Sequence, residues 1–184
     1  MAGESTRDMS VDGAGDRAGT ARPYRICLVC LGNICRSPMA EVVLRDVLER
    51  RGLGDVVVVD SAGTGGWHVG EPMDERAAAT LAAAGYDGSR HRARRFEPEW
   101  FAERDLVLAM DRDNLRTLRR LAPEGADVRL LRSFDPDAPE DAEVPDPYYG
   151  GREGFVRVLE MIEAAAEGVA EHAARAVGRA PERR

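Results

Sequence analysis

Seven residues, Tyr24-Arg25-Ile26-Cys27-Leu28-Val29-Cys30, restrict the possible folds more than any other stretch of the chain. All but Arg25 are apolar, so the run reads as a strand covered on both faces, as in a parallel sheet. Its last residue, the thiol Cys30, sits where the strand gives way to Leu31-Gly32-Asn33-Ile34-Cys35, and Arg36-Ser37-Pro38 follow. Serine suits a helix N-cap because its hydroxyl accepts from an orphan amide, and proline suits the first helical position because its missing N–H costs nothing there. A helix is therefore expected from about Pro38 to Arg51. Met39, Val43, Leu44, Val47 and Leu48 fall at helical spacing and Gly52 is the stop. A loop curled over a helix N-terminus presents backbone N–H groups and a positive dipole end, which favours an oxyanion and a thiolate. Arg36 adds a planar, bidentate charge. The octapeptide Cys30 to Ser37 thus reads as an anion cradle with a nucleophile at its base.

The rest of the chain alternates in kind. Val56 to Val59 are four β-branched residues, a second strand, and Asp60-Ser61-Ala62-Gly63-Thr64-Gly65-Gly66-Trp67 leaves it as a Gly-rich loop. Asp74 is placed to cap an Ala-rich helix that reaches about Ala84 and stops at Gly85. The basic segment Ser89 to Arg95 leads to a short helical turn within Phe96 to Ala102, and Asp105 to Met110 is a third strand. Asp111 then caps a helix with Leu115, Leu118 and Leu121 on one side, and Val128 to Leu131 is a fourth strand. Residues 132–151, rich in Pro, Asp and Gly, are long for a structureless connection and suggest a working loop. Phe155, Val158, Leu159, Ile162, Ala166 and Val169 form the docking stripe of a last helix. This order argues for a single doubly wound (flavodoxin-like) α/β domain, a central four-stranded parallel sheet with helices on both faces. Its functional loops lie at the strand C-termini, where Cys30, Ser61, Asp111 and the Asp146 loop fall. Residues 1–22 hold too little apolar surface to order and read as a disordered tail. The domain spans 23–178, and 179–184 are a frayed end.

Composition removes several function classes. A net charge of −7 and a pI near 5.1 argue against a nucleic-acid partner, and no apolar run is long enough to cross a membrane. Three cysteines make no disulfide framework and no signal peptide is recognisable, so the cytoplasm is the expected compartment. Every basic side chain is arginine. Without lysine there is no Walker-type phosphate loop and no Schiff-base or pyridoxal chemistry.

Val29 to Ser37, the Asp60-Ser61-Ala62-Gly63 turn with Trp67, and Asp146-Pro147-Tyr148-Tyr149 together resemble the low-molecular-weight protein tyrosine phosphatases. The likeness runs from about Tyr24 to the last helix. A Cys-x5-Arg pattern alone recurs by chance; at a strand–helix junction, with Asp-Pro-Tyr-Tyr late in the chain, it is specific. The resemblance implies a monomeric enzyme without cofactor or metal that hydrolyses phosphotyrosine in proteins through a phosphocysteine on Cys30. Arg36 and the backbone of Leu31, Gly32, Asn33, Ile34 and Cys35 would hold the phosphate, or vanadate in its place. Ser37 would assist the sulfur. Asp146 would protonate the leaving tyrosyl oxygen and then serve as base toward water. Elementary chemistry agrees, because a phosphate dianion attacked in line needs amide donors and a guanidinium on its equatorial oxygens. Asp135 and Asp137 start turns as well as Asp146 does, so that assignment leans on the Tyr148-Tyr149 pair and the resemblance.

By the same likeness, Trp67, Tyr148 and Tyr149 form an aromatic wall deep enough for a phenyl ring. Asn33 tolerates a left-handed backbone, and Asn33 and Ser61 brace the loop. His91 and Arg94 support it, while the rest of the Arg90–Arg95 run is a solvated loop. Isoleucine at position 34, where arginine-phosphatase relatives carry threonine, points to phosphotyrosine. Cys35 is close enough in sequence to trap an oxidised Cys30 as a disulfide, as in the family. Cys27 is assigned to the core, and His68 and His172 carry no signal. Three rival readings are weaker. Arsenate reductases need further cysteines downstream, and none follows Cys35. A zinc site on Cys27, Cys30, Cys35 and a histidine conflicts with strand alternation, which points Cys27 and Cys30 to opposite faces. A non-catalytic phosphotyrosine binder requires loss of the nucleophile or the acid, and both are present.

Overall fold

In the computed structural model, residues 22–179 are described; the expected disordered tail lies outside them except for Arg22, as does the expected frayed end except for Arg179. Four strands, β1 (Tyr24–Cys30), β2 (Val57–Gly63), β3 (Leu106–Ala109) and β4 (Val128–Leu130), form one sheet in the order β2-β1-β3-β4. All pairings are parallel. Four α-helices, α1 (Arg36–Arg50), α2 (Glu75–Ala83), α3 (Arg112–Leu121) and α4 (Arg152–Ala176), join or follow them. This is the expected doubly wound α/β architecture. The strand run that opens the sequence is central, with β2 on one side and β3 on the other.

Alternation along β1 divides the core between the two faces of the sheet. Ile26, Leu28 and Cys30 face α1 and α4, packing with Met39, Val43, Leu44, Phe155, Leu159 and Ile162. Cys27 and Val29 face the other way, toward Phe96, Phe101 and Leu118. Period-two side-chain direction therefore separates Cys27 from Cys30 as expected. The stripe on α4 is buried throughout, from Phe155 to Val169.

Three local expectations are corrected. The second strand does not end at Val59: β2 runs to Gly63, because it pairs with all of β1, from Tyr24 with Val57 to Cys30 with Gly63. Neighbouring-strand hydrogen bonds override the weak strand propensity of Asp60, Ser61 and Gly63. Helix α1 begins at Arg36, with Cys35 as its N-cap residue, so Ser37 is not the cap and Pro38 is not the first helical residue. The Ser37 hydroxyl is drawn into the loop instead, and Pro38 still lies in the first turn, where no N–H is needed. On α3 only Leu118 is fully buried; Leu121 is exposed at the helix end. Asp74 does cap α2, accepting from the N–H groups of Arg76 and Ala77.

The connection after β4 opens with a short 3-10 turn, Leu131–Phe134. Further on it is tied down by Val144, which is fully buried and whose N–H donates to Met110 O at 2.8 Å. This brings the Asp146 loop back beside the C-terminal ends of β1 and β3.

Candidate active site

At the end of β1 the chain turns back on itself around the Cys30 sulfur. Asn33 adopts a left-handed conformation, φ 60°, which asparagine tolerates better than most side chains. This aims the Asn33 N–H at Cys30 Sγ, 3.3 Å away. Next door, the residues just after β2 hold the loop through Thr64 N–H to Cys30 O and Gly65 N–H to Leu31 O, both 2.9 Å.

The Asn33 side chain is wholly buried, with both amide hydrogens and the amide oxygen engaged. Its Nδ2 donates to Ser37 Oγ at 2.8 Å and to Ser61 Oγ at 3.0 Å, while its Oδ1 accepts from the Arg94 N–H at 2.8 Å. Ser61 passes its own proton to Glu41 Oε1 at 2.6 Å. Because Asn33 donates to Ser37 Oγ, the single hydroxyl proton of Ser37 is free for Cys30 Sγ, 3.0 Å away, or Ala62 O at 3.3 Å. A thiolate is the stronger attraction for that proton. The remaining support comes from His91, whose Nε2 lies 2.7 Å from Asn33 O and therefore carries the hydrogen. Burial pulls the His91 pKa below its ordinary value, with the bond to Asn33 O opposing. Ser61, His91 and Arg94 all lie around the loop.

Arg36 is 2% exposed. Its Nη1 donates to Asp111 Oδ2 at 2.8 Å and to Val144 O at 2.9 Å, and its Nη2 lies 3.7 Å from Asp146 Oδ2. Asp111 serves twice, since its Oδ1 also caps α3 through the Asn114 N–H. Asp146 is partly exposed, and its Oδ1 accepts from the Tyr148 N–H at 3.1 Å.

Cys30, Leu31, Gly32, Ile34, Cys35, Arg36, Asp146 and the rings of Trp67, Tyr148 and Tyr149 line one cleft of about 300 Å³. Trp67 and Tyr149 are largely exposed at its mouth. Tyr148 and Tyr149 meet edge to face, 5.0 Å between centroids. Arg76 holds that wall, donating to Tyr148 O at 2.9 Å with its guanidinium over the rings of Tyr148 and Phe155. His68, to which the sequence assigned nothing, also lines the cleft, its Nδ1 2.8 Å from Glu71 Oε1. Val144, Glu41 and Arg76 were missed too. Asp111 was placed at a strand C-terminus and as a helix cap, but not as the partner of Arg36. Among the described residues no group of three or more His, Cys, Asp or Glu side chains is placed to hold a metal ion.

A buried thiol and a buried guanidinium on one anion-sized loop, beside an aromatic cleft, define a small class of proteins. The sequence model of the low molecular weight phosphotyrosine protein phosphatases matches residues 25–179. The chain belongs to this family. A low molecular weight protein-tyrosine-phosphatase of Streptomyces coelicolor is 59% identical over 150 residues, covering 79% of this chain and 91% of that one. Among solved structures, Vibrio vulnificus Wzb in complex with benzylphosphonate superposes with a TM-score of 0.70 at 29% identity, covering 81% of this chain and 98% of the other. A Drosophila arginine phosphatase superposes with a TM-score of 0.73 at 33% identity, over 80% and 96% of the two chains. The protein is thus an enzyme of the protein-tyrosine-phosphatase class. No helix among the described residues is long and apolar enough to cross a membrane.

Proposed function

We propose that this phosphatase hydrolyses phosphotyrosine in proteins through a phosphocysteine on Cys30. The observation that carries the reading is the convergence on one cleft of Cys30 Sγ, the Arg36 guanidinium and the Asp146 carboxylate. Cys30 attacks phosphorus as a thiolate, stabilised by the Asn33 N–H and the Ser37 hydroxyl. The P–O bond to the tyrosyl oxygen breaks, and Asp146 delivers a proton to that oxygen. Water then attacks the phosphocysteine, Asp146 takes its proton, and the sulfur leaves with the Ser37 hydroxyl bonded to it. Throughout, the backbone N–H groups of Leu31 to Arg36 other than that of Asn33, and the Arg36 guanidinium, hold the equatorial oxygens. Asp111 and Val144 O fix Arg36 through Nη1, so its other edge is directed at the anion.

Trp67, Tyr148 and Tyr149 supply the wall for a phenyl ring, which favours phosphotyrosine over shorter phosphoesters. Ile34, apolar and lining the cleft, supports phosphotyrosine over phosphoarginine. The same reading makes residues 23–178 one catalytic domain, monomeric and cytoplasmic, acting without metal, nucleic acid or membrane. Turnover of an aryl phosphate with and without chelator, alongside Cys30→Ser, tests it. Metal-independent activity at mildly acidic pH, inhibited by vanadate and abolished by the substitution, is the expected result. An active Cys30→Ser protein or a requirement for zinc would overturn the mechanism.

A further inference from the structure

The basic run that the proposed chemistry leaves unused lies beside the cleft. Arg90, Arg92, Arg94 and Arg95 are all exposed, with no acidic residue between them, in a protein of net charge −7. Arg94 is committed elsewhere, to Asp60 at 2.9 Å and to the Trp100 ring. Arg92 donates to His91 O. Arg90 and Arg95 are different: among the described residues neither guanidinium makes an ion pair or hydrogen bond, whereas Arg94 and Arg104 share Asp60; of the two, Arg95 is the one packed on Gly66.

Arg95 is held in place by its backbone. Gly63 pairs with Cys30 on one side and bridges to Arg95 on the other. Two inter-strand steps put the Cα atoms of Cys30 and Arg95 about 10 Å apart. From there the Arg95 side chain crosses Gly66, its Cδ 3.3 Å from where a Cβ on Gly66 would lie. Trp67 follows directly and lines the cleft. The free guanidinium therefore lies against Gly66, one residue from the cleft-lining Trp67. Glu71, the acidic residue of the same loop, is engaged by His68 at 2.8 Å. The other side of the mouth carries Asp146 and the tyrosine pair, with Arg76, itself paired to Asp74, behind them.

We propose that Arg95 binds a carboxylate side chain two or three residues from the phosphotyrosine, so that the preferred substrates are phosphotyrosyl segments with an acidic flank. This rests on the phosphotyrosine reading of the cleft and specifies its substrate class. An extended peptide advances at most about 3.6 Å per residue, which brings the side chain of such a neighbour to the Arg95 guanidinium when the phosphotyrosyl ring enters the cleft. Arg90 and Arg92 add a local positive field that draws an acidic segment to this side.

The test compares phosphotyrosyl peptides that carry either glutamate or alanine two and three positions from the phosphotyrosine, on each side in turn. A small aryl phosphate, too short to reach Arg95, is the internal reference. For the unaltered protein kcat/KM is expected to favour the acidic peptide about tenfold at low salt, with the preference shrinking near about 0.5 M salt. Arg95→Gln is expected to cut that preference about threefold and Arg95→Glu to remove it. Equal turnover of the two peptides by the unaltered protein would overturn the proposal. So would an Arg95→Glu loss of the same factor on both peptides and on the aryl phosphate, which marks a structural role. A protein that leaves the aryl phosphate intact would overturn the phosphatase chemistry itself.

Discussion

Replacing Asn33 by alanine removes the side chain on which the anion loop is hung. Three buried hydrogen bonds go with it, two donated by Nδ2 to Ser37 and Ser61 and one accepted from the Arg94 N–H. At about 1 kcal/mol each they sum to about 3 kcal/mol. Alanine at φ 60° adds about 1 kcal/mol more, because its Cβ disfavours the left-handed region that asparagine tolerates. The total, about 4 kcal/mol, is a large part of the 5–15 kcal/mol that typically holds a domain folded. In a domain of this size it lowers Tm by about 8–16 °C. Asn33→Gly separates the two contributions: it loses the same hydrogen bonds without the backbone strain, so it is expected about 1 kcal/mol above the alanine variant. Urea unfolding followed by tryptophan fluorescence gives both numbers. Turnover of an aryl phosphate falls in both variants, since the Ser37 hydroxyl loses the donor that orients it toward Cys30. An alanine variant within about 1 kcal/mol of the unaltered protein, or a glycine variant less stable than alanine, would refute this account of the loop.

Other expectations follow from the same site. Asp146→Asn keeps the shape of the loop and removes the transferable proton, so kcat on a phenolic phosphate with a poor leaving group drops about 10²–10⁴-fold. An activated leaving group that needs no proton narrows the gap, and an equal loss on both esters would argue against an acid role. His91, whose pKa burial lowers, takes up its proton less readily folded than unfolded. Its contribution is therefore intact above the unfolded value of about 6.5 and is lost as pH falls from there through the lowered folded value. His91→Gln should flatten that acid limb of the stability profile in urea titrations; an unchanged slope would count against it. Burial first, then the charges of Asp74, Cys30 and Asp146, hold the Cys35 thiol far above its ordinary pKa, so it does not compete with Cys30 for peroxide. After prolonged peroxide treatment, thiol-dependent recovery should be lost in Cys35→Ala, whose Cys30 sulfenic acid has no neighbour to condense with and is oxidised by further peroxide to the irreversible sulfinic acid. Recovery equal to that of the unaltered protein would dismiss the disulfide.

How much of this was legible beforehand depended on how local each cause was. The run of β1, the stripe of α4 and the loop from Cys30 to Arg36 are contiguous or periodic, and they were readable. Ser37 was misread as a helix cap because a hydroxyl next to a helix start has two uses, and the choice is made by Cys30, Asn33 and Ala62 around it. Asp60 to Gly63 were read as loop because composition speaks for a turn, while register with β1 is a property of the partner strand. Nothing in the sequence links Arg36 to Asp111 or to Val144, 75 and 108 positions away. Main-chain acceptors such as Val144 O have no residue signature at all. His68 and Arg76 escaped notice for a similar reason: their roles come from the fold around the cleft mouth, not from any pattern near them.

The bond from Arg36 to Val144 O has a kinetic consequence. Val144 is seated by its own N–H on Met110 and stands two positions before Asp146. Guanidinium and carboxylate are thus latched by the same short piece of chain. A fluctuation that lifts residues 144–146 withdraws the acid and removes one of the two bonds on Arg36 Nη1 in a single event, and reclosure restores both. Asp111 keeps the guanidinium seated meanwhile, so the opened molecule holds its phosphate clamp but lacks its acid. It is slowed by the factor the acid supplies, and ensemble activity reports the fraction of molecules with this latch closed.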